Sequence, residues 1–339
     1  MLYATTRSKT DTYTAHRVLR EDRAPDGGFY IPFRMPALDL AQINTLKNQT
    51  FSESVAQILN LFFSAGLTAW DVDCIIGKTA AKVLCTSHRV MFVQLWNNPR
   101  GEYAYTVDQL YQKLLGDQSR SEATDWAKIA IRIAVLFGIY SLVPSDSFDV
   151  SVNSGDFSVP MAVWYARAMG LPVGMIVCAC NENSAPWDFL HRGEMNTGIA
   201  KVNTSTPELD IPNPAGLERL IYSTLGLEET ARYLDASARK GMYIVQPPAL
   251  QNLNRGMFVS VVGKDRVTPV IGSMYRSNMC ILDSYTAVSY GSLQDYRAKT
   301  GEGNPTVLLW DRSPLNDISA VSRATGLNRE EITNALNQL

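Results

Sequence analysis

Residues 148 to 183 read FDVSVNSGDFSVPMAVWYARAMGLPVGMIVCACNEN, and this run narrows the fold more than any other. Phe148 to Val152 reads as a strand, and Ser154-Gly155-Asp156 is a turn. Pro160 to Met169 has helical spacing, and Val173 to Ala179 is a second apolar strand. Strands joined through a helix this way lie parallel, with a right-handed crossover. Parallel strands need cover on both faces, so the chain must build helices above and below a sheet: an α/β fold. A glycine turn entering a helix N-terminus can also seat an anion on its N–H groups, although most such turns are plain connectors.

A second strand-turn-helix lies in QLWNNPRGEYAYTVDQLYQKLL. An apolar strand, Val90 to Leu95, stops at Asn97-Asn98-Pro99, and helical spacing resumes near Tyr105. Turns of this kind carry the chemistry of α/β enzymes. This one offers Arg100 and Glu102 but no lysine, cysteine, histidine or serine to act as a nucleophile. Before it, Asp26-Gly27-Gly28 reads as a turn into a short strand, Phe29 to Ile31. Helical patterns follow from Leu38 to about Lys82, with Thr50 placed to cap one of them. After it, WAKIAIRIAVLFGIYSLV reads as a mostly buried helix with Thr124 or Asp125 as its cap. Residues 181 to 218 are rich in Asn, Pro and Thr and read as irregular surface with a short helix at Trp187 to His191; His191-Arg192 there reads as an exposed turn. Helices are expected at Leu217 to Thr224, Leu227 to Arg239 and Tyr285 to Lys299. A strand TVLLW and a terminal helix capped by Asn328 complete the pattern, and the stretch beginning at Met242 is less regular.

A net charge of −2 across 339 residues argues against a nucleic-acid groove or a membrane-surface patch. No apolar run is long enough to span a bilayer, and MLYATTRSKTD lacks the apolar core of a signal peptide. The five cysteines, Cys74, Cys85, Cys178, Cys180 and Cys280, have no framework spacing; Cys178 and Cys180 lie in an apolar run, IVCAC, so buried thiols in a reducing cytoplasm are expected. With 3 histidines, no metal site is expected.

Several segments, in order, resemble threonine synthase, a pyridoxal-phosphate (PLP) enzyme family of the tryptophan synthase β-like fold. YATTRSKTD…APDGGFYIP resembles the family's YxSTRG…ApDGGLYvP. NSGDFSVPMAVWYARAMGLPV resembles P(T/S)GNFGDxxAGyxAkkMGLPi, and CACNEN resembles ATNEN. STPELDIPNPAGLERLIY resembles SpaMDIqvpsNfERlLf, and LDSYTAVSYGSLQDYR resembles lDPHTAVgyxalrdy. The resemblance implies PLP fold type II, with a threonine synthase-type N-terminal domain over 1–88 and a PLP-enzyme-like α/β domain over 89–339.

The resemblance departs at the positions that carry chemistry. LFHGPTxAFKD, whose lysine forms the Schiff base, falls on LWNNPRGEYAY: its His on Asn97, its Gly on Asn98 and its Lys on Ala104. An alanine cannot form an imine, and Lys113, the nearest later lysine, points away from the turn. The SGDTG-bearing small lobe has no counterpart, its deletion falling around 115–125. The phosphate loop has become Gly155-Asp156-Phe157-Ser158 after Ser154, with a carboxylate where the family has a neutral Asn. Tyr285 replaces the His of DPHTA, and Arg312-Ser313-Pro314 replaces the late xHP motif.

These departures imply a non-catalytic, cytoplasmic binding or regulatory protein, a pseudoenzyme with no bound cofactor. The expected partner is a protein or a second copy on the face left by the missing lobe, and the expected ligand is small and amino-acid-like. The alternative is a PLP-dependent lyase or synthase acting on O-phosphohomoserine or a similar amino-acid phosphate. A third possibility is an unrelated enzyme rebuilt around Arg100, Glu102, Asp156 and Arg312. The candidate pocket residues are thus Asn97, Asn98, Arg100, Ala104, Ser154 to Ser158, Tyr285 and Arg312.

Overall fold

A computed structural model of the chain describes residues 1–77, 81–86, 89–116 and 122–338. At the N-terminus, β1 (Leu2–Thr5), β2 (Tyr13–Thr14) and β3 (Tyr30–Pro32) form an antiparallel sheet in the order β2-β1-β3, with a short helix α1 (Ala15–Val18) between β2 and β3. Helices α2 (Leu40–Lys47), α3 (Phe51–Phe63) and α4 (Ala69–Ile76) follow. Asp39, Thr50 and Thr68 each open one with a reciprocal capping box, which satisfies two otherwise orphaned backbone donors per helix. The helical pattern expected as far as Lys82 therefore ends at Ile76.

Lys82–Cys85 is instead strand β4, antiparallel to β5 (Val90–Gln94). The boundary expected at residue 88 falls between these two paired strands of one sheet. The deletion point expected around 115–125 lies largely on 117–121, outside the described residues. Helix α5 (Tyr103–Leu115) ends before it, and α6 (Asp125–Leu142) starts after it. The βαβ unit is β6 (Phe148–Asn153), α7 (Ser158–Ala168) and β7 (Val173–Cys180), with its strands parallel.

The segment read as irregular surface is more ordered than its composition suggests. Helix α8 (Ala185–Arg192) and strand β8 (Glu194–Asn196) lie within it, and β8 pairs with β9 (Met242–Ile244) beyond helices α9 (Gly216–Leu225) and α10 (Leu227–Lys240). Asn181, Asn183, Thr206 and Asp210 are buried in one hydrogen-bonded network, so the segment is fixed by polar contacts that no periodicity reports. The region after Met242 holds helix α11 (Pro247–Asn254), strand β10 (Met257–Val261) and helix α12 (Lys264–Asn278), whose internal Pro269 disguises it in the sequence. Helix α13 (Ser284–Thr300), strand β11 (Thr306–Trp310) and helices α14 (Ile318–Thr325) and α15 (Arg329–Gln338) complete the chain.

The main sheet has the order β10-β7-β6-β11-β5-β4, parallel except for β4. Alternation along each strand feeds two cores. Val307 and Leu309 join the core of α3, α6 and α7, whereas Leu308 and Trp310 join that of α12 and α13. Helix α6 is almost wholly buried and lies so close to α3 that a Cβ on Gly138 would meet Phe51 at 2.8 Å. Among the described residues, the large apolar side chains most exposed are Leu40 and Trp70; none of those on α5 is exposed. No helix of the described residues is long and apolar enough to cross a membrane.

Candidate functional site

Parallel α/β sheets keep their ligand crevices at the carboxyl ends of the strands. Here the carboxyl ends of β5, β6 and β11 open into a cleft of about 330 Å³. Glu102, Tyr103 and Ala104 enter it from the start of α5, and Lys128 and Arg132 from α6. Asn153 to Asp156, with Ser158, enter from the β6–α7 turn, and Glu208, Leu209 and Ile211 from the 207–211 segment. Tyr285 enters from α13, and Asp311 and Arg312 follow β11.

The turn after β5 is held mainly by Asn98. Its side chain donates to the Glu102 carbonyl at 2.7 Å and accepts from the Arg100 N–H at 3.0 Å. Gly101, at φ +64°, brings the turn against Ser313, where a Cβ would sit 2.9 Å from that side chain. Asn97, Asn98 and Arg100 do not line the cleft; Arg100 lies over the Tyr105 ring at 5.2 Å. They are turn residues, and Asn98 folds back onto the start of α5 through the Glu102 carbonyl and the Thr106 hydroxyl.

In the β6–α7 turn, Gly155 and Phe157 have left-handed backbones, at φ +45° and +69°. For Phe157 that conformation is unfavourable by about 1–2 kcal/mol, offset by complete burial of its ring. The turn places the Asp156 carboxylate on the N-terminus of its own helix. It accepts from the Ser158 N–H at 2.9 Å and from the Ser158 hydroxyl, while Arg132 donates to that hydroxyl at 2.8 Å. Pro160 has no N–H to offer. The anion seat of this helix is filled from within. Of the predicted loop residues, Ser154, Gly155, Asp156 and Ser158 line the cleft, and Phe157 is buried behind it.

On the far wall, Arg312 lies over the Tyr285 ring at 4.5 Å and pairs with Glu102 at 3.5 Å and with Glu208. Glu102, Asp156 and Arg312 thus converge on the cleft, and Arg100 does not. Ser313, at the position expected to hold histidine, is buried and accepts from the Leu315 N–H at 3.2 Å, as a turn cap. His191 stacks on Trp187 at 4.8 Å in α8, away from the cleft. Lys113 pairs with Asp71 at 2.7 Å. Among the described residues no cluster of His, Cys, Asp and Glu is arranged to hold a metal.

Lys128, Arg132, Tyr103 and Asp311 were not legible as site residues. The available signal was the spacing of Lys128 and Arg132, two cations at i and i+4 on one face of an otherwise apolar helix, where a buried charge needs a reason. Burial pushes the Asp311 carboxyl up from 3.8 to about 6, against the pull of Arg132 and Arg312. The folded state therefore holds that proton more tightly than the unfolded chain, and stability falls as pH rises from about 4 to about 6. A rise of this size corresponds to about 3 kcal/mol. Asp311→Asn is expected to raise the melting temperature at about pH 7.5, with the gain fading by about pH 4. Scanning calorimetry across that range checks it. A variant less stable than wild type at neutral pH contradicts the assignment.

A family model of the threonine synthase N terminus matches residues 2–80. A threonine synthase of Pseudomonas aeruginosa is 28% identical over 207 residues, 59% of this chain and 43% of that protein. A threonine synthase of Schizosaccharomyces pombe is 26% identical over 190 residues, 48% of this chain and 37% of that protein. The match thus spans less than half the length of either relative. PLP-bound threonine synthase from Brucella melitensis superposes with a TM-score of 0.84 at 16% identity, covering 98% of this chain and 94% of that one. The architecture is that of PLP fold type II.

Proposed function

We propose, because this chain belongs to the threonine synthase family yet carries alanine where the resemblance puts the Schiff-base lysine, that it is a binding or regulatory protein rather than a PLP enzyme. The observation that carries this reading is Ala104 in the wall of the cleft, where its methyl group offers no amine. The residues present do not fit PLP on a second count. The Asp156 carboxylate, held by the Ser158 N–H and hydroxyl, stands where the cofactor's phosphate would need those donors. Two anions cannot share one helix N-terminus without mutual repulsion.

One observation favours a second reading, a surviving PLP enzyme. The Lys128 amine lines the cleft and makes no ion pair among the described residues. Titration with PLP, followed by borohydride reduction and peptide mapping, separates the two. No visible aldimine band and no pyridoxyl-lysine are expected. A pyridoxyl group on Lys128 would sink the non-catalytic reading.

A further inference from the structure

A second cavity, of about 600 Å³, lies at the opposite end of the sheet from the cleft. Helix α7 begins at the cleft with Ser158 and ends at this cavity, which Trp164 and Arg167 line. Arg255 and Gly256 reach it from the turn just before β10. Gly256 has φ +73°, and a Cβ there would overlap the Arg167 guanidinium, so only glycine lets the arginine lie against this turn. Arg167 is fixed there by donating to the carbonyls of Gly256 at 2.9 Å, Gly174 at 3.2 Å and Arg255 at 3.3 Å. Those bonds tie the end of α7 to the starts of β7 and β10, and they leave the Arg167 Nε unbonded. The Arg255 side chain is exposed, and its guanidinium has no partner among the described residues.

Two like charges thus share one cavity. Burial, and after it the Arg255 charge, lower the Arg167 pKa, and no acid offsets either effect. Neither arginine forms an ion pair among the described residues, whereas Arg7 pairs with Glu218, Arg266 with Asp295 and Arg312 with Glu102. Like charges held together repel, and an anion between them turns that repulsion into attraction. Guanidiniums grip phosphate through paired N–H groups, and two of them match its two charges. Trp164, half-buried and packed edge-on against Tyr165 at 5.4 Å, adds an aromatic surface beside the cations. We infer that this cavity binds a phosphomonoester carrying a planar ring, of the nucleoside monophosphate class. Its phosphate meets the Arg255 guanidinium and the Arg167 Nε, and its ring lies on Trp164, since any base has a face that an aromatic side chain can stack on. The volume falls within the range of small-molecule sites. This site is separate from the cleft, and its assignment does not depend on the non-catalytic reading.

Isothermal titration of the intact protein with adenosine 5′-monophosphate, ribose 5-phosphate, adenosine and inorganic phosphate tests it. Saturable binding of the nucleotide is expected, at least about fivefold tighter than that of ribose 5-phosphate. Adenosine should not bind, and inorganic phosphate should compete with the nucleotide. Arg255→Gln should weaken nucleotide binding at least about tenfold; the side chain is exposed and holds nothing in place among the described residues, so the fold is kept. Arg239→Gln, which removes the same charge from the exposed Arg239–Asp235 pair of α10, should leave binding within about twofold. Trp164→Leu, with circular dichroism showing an intact fold, should reduce the nucleotide to the affinity of ribose 5-phosphate and spare the latter. Absence of saturable nucleotide binding to the folded wild-type protein overturns the assignment, as does binding unchanged by Arg255→Gln. Equal affinity for the nucleotide and ribose 5-phosphate overturns the ring-bearing class, and failure of phosphate to compete overturns the anion seat.

Discussion

Trp126→Ala is expected to lower the stability of the whole chain by about 3–5 kcal/mol, a large share of the 5–15 kcal/mol that holds a typical domain together. Trp126 sits in α6 with no exposed surface and meets three rings edge-on: Tyr3 of β1 at 6.0 Å, Phe62 of α3 at 5.8 Å and Tyr165 of α7 at 5.8 Å. One side chain therefore ties the N-terminal sheet and helices to the βαβ unit. Truncation leaves a cavity bounded by three separate elements, which cannot all collapse into it. Urea unfolding should show a lower midpoint with an unchanged slope. A loss under about 1 kcal/mol would mean that the site relaxes and that α6 is not the common support.

Asp210→Ala is expected to cost about 3–5 kcal/mol and to free the 204–211 wall of the cleft. The Asp210 carboxylate accepts from Asn181 at 2.7 Å, Asn183 at 3.2 Å, the Thr204 hydroxyl at 2.6 Å and the Thr204 N–H at 2.9 Å. Burial works against its ionisation, and the hydrogen bonds from Thr204 and Asn181 overcome this to leave its pKa below the ordinary carboxylate value. Removing the side chain takes an acceptor from four donors at once and leaves the Thr204 N–H without one, whereas Asp210→Asn retains one acceptor oxygen and should recover part of the loss. Hydrogen exchange followed by mass spectrometry should show lost protection across 200–211. Protection equal to wild type there would refute the pinning role.

How far each feature was legible follows from its range in sequence. Thr50 and its Glu53 partner are three residues apart, so the capping box needed no tertiary information. The two strands and the helix of the βαβ unit show in the periodicity of 148–180 because their burial is symmetric on both faces. Strand β4 was hidden because four residues of mixed polarity at a sheet edge carry no period, and its identity comes from pairing with β5. The network around Asp210 looked like loop composition because Asn and Thr favour turns unless a buried carboxylate gathers them.

The sequence by itself determined that Ala104 stands where the family resemblance calls for an amine. That the amine is missing at this position is a matter of covalent structure. It also determined the α/β architecture, through patterns that depend only on near neighbours. The tertiary structure alone decided that the Asp156 carboxylate caps its own helix, that Asn97, Asn98 and Arg100 hold a turn rather than line a pocket, and that Lys128, Arg132, Tyr103 and Asp311 share one cleft. Those four come from three elements, α5, α6 and the end of β11. Only packing of the apolar faces around Trp126 and across the sheet fixes how their polar ends meet.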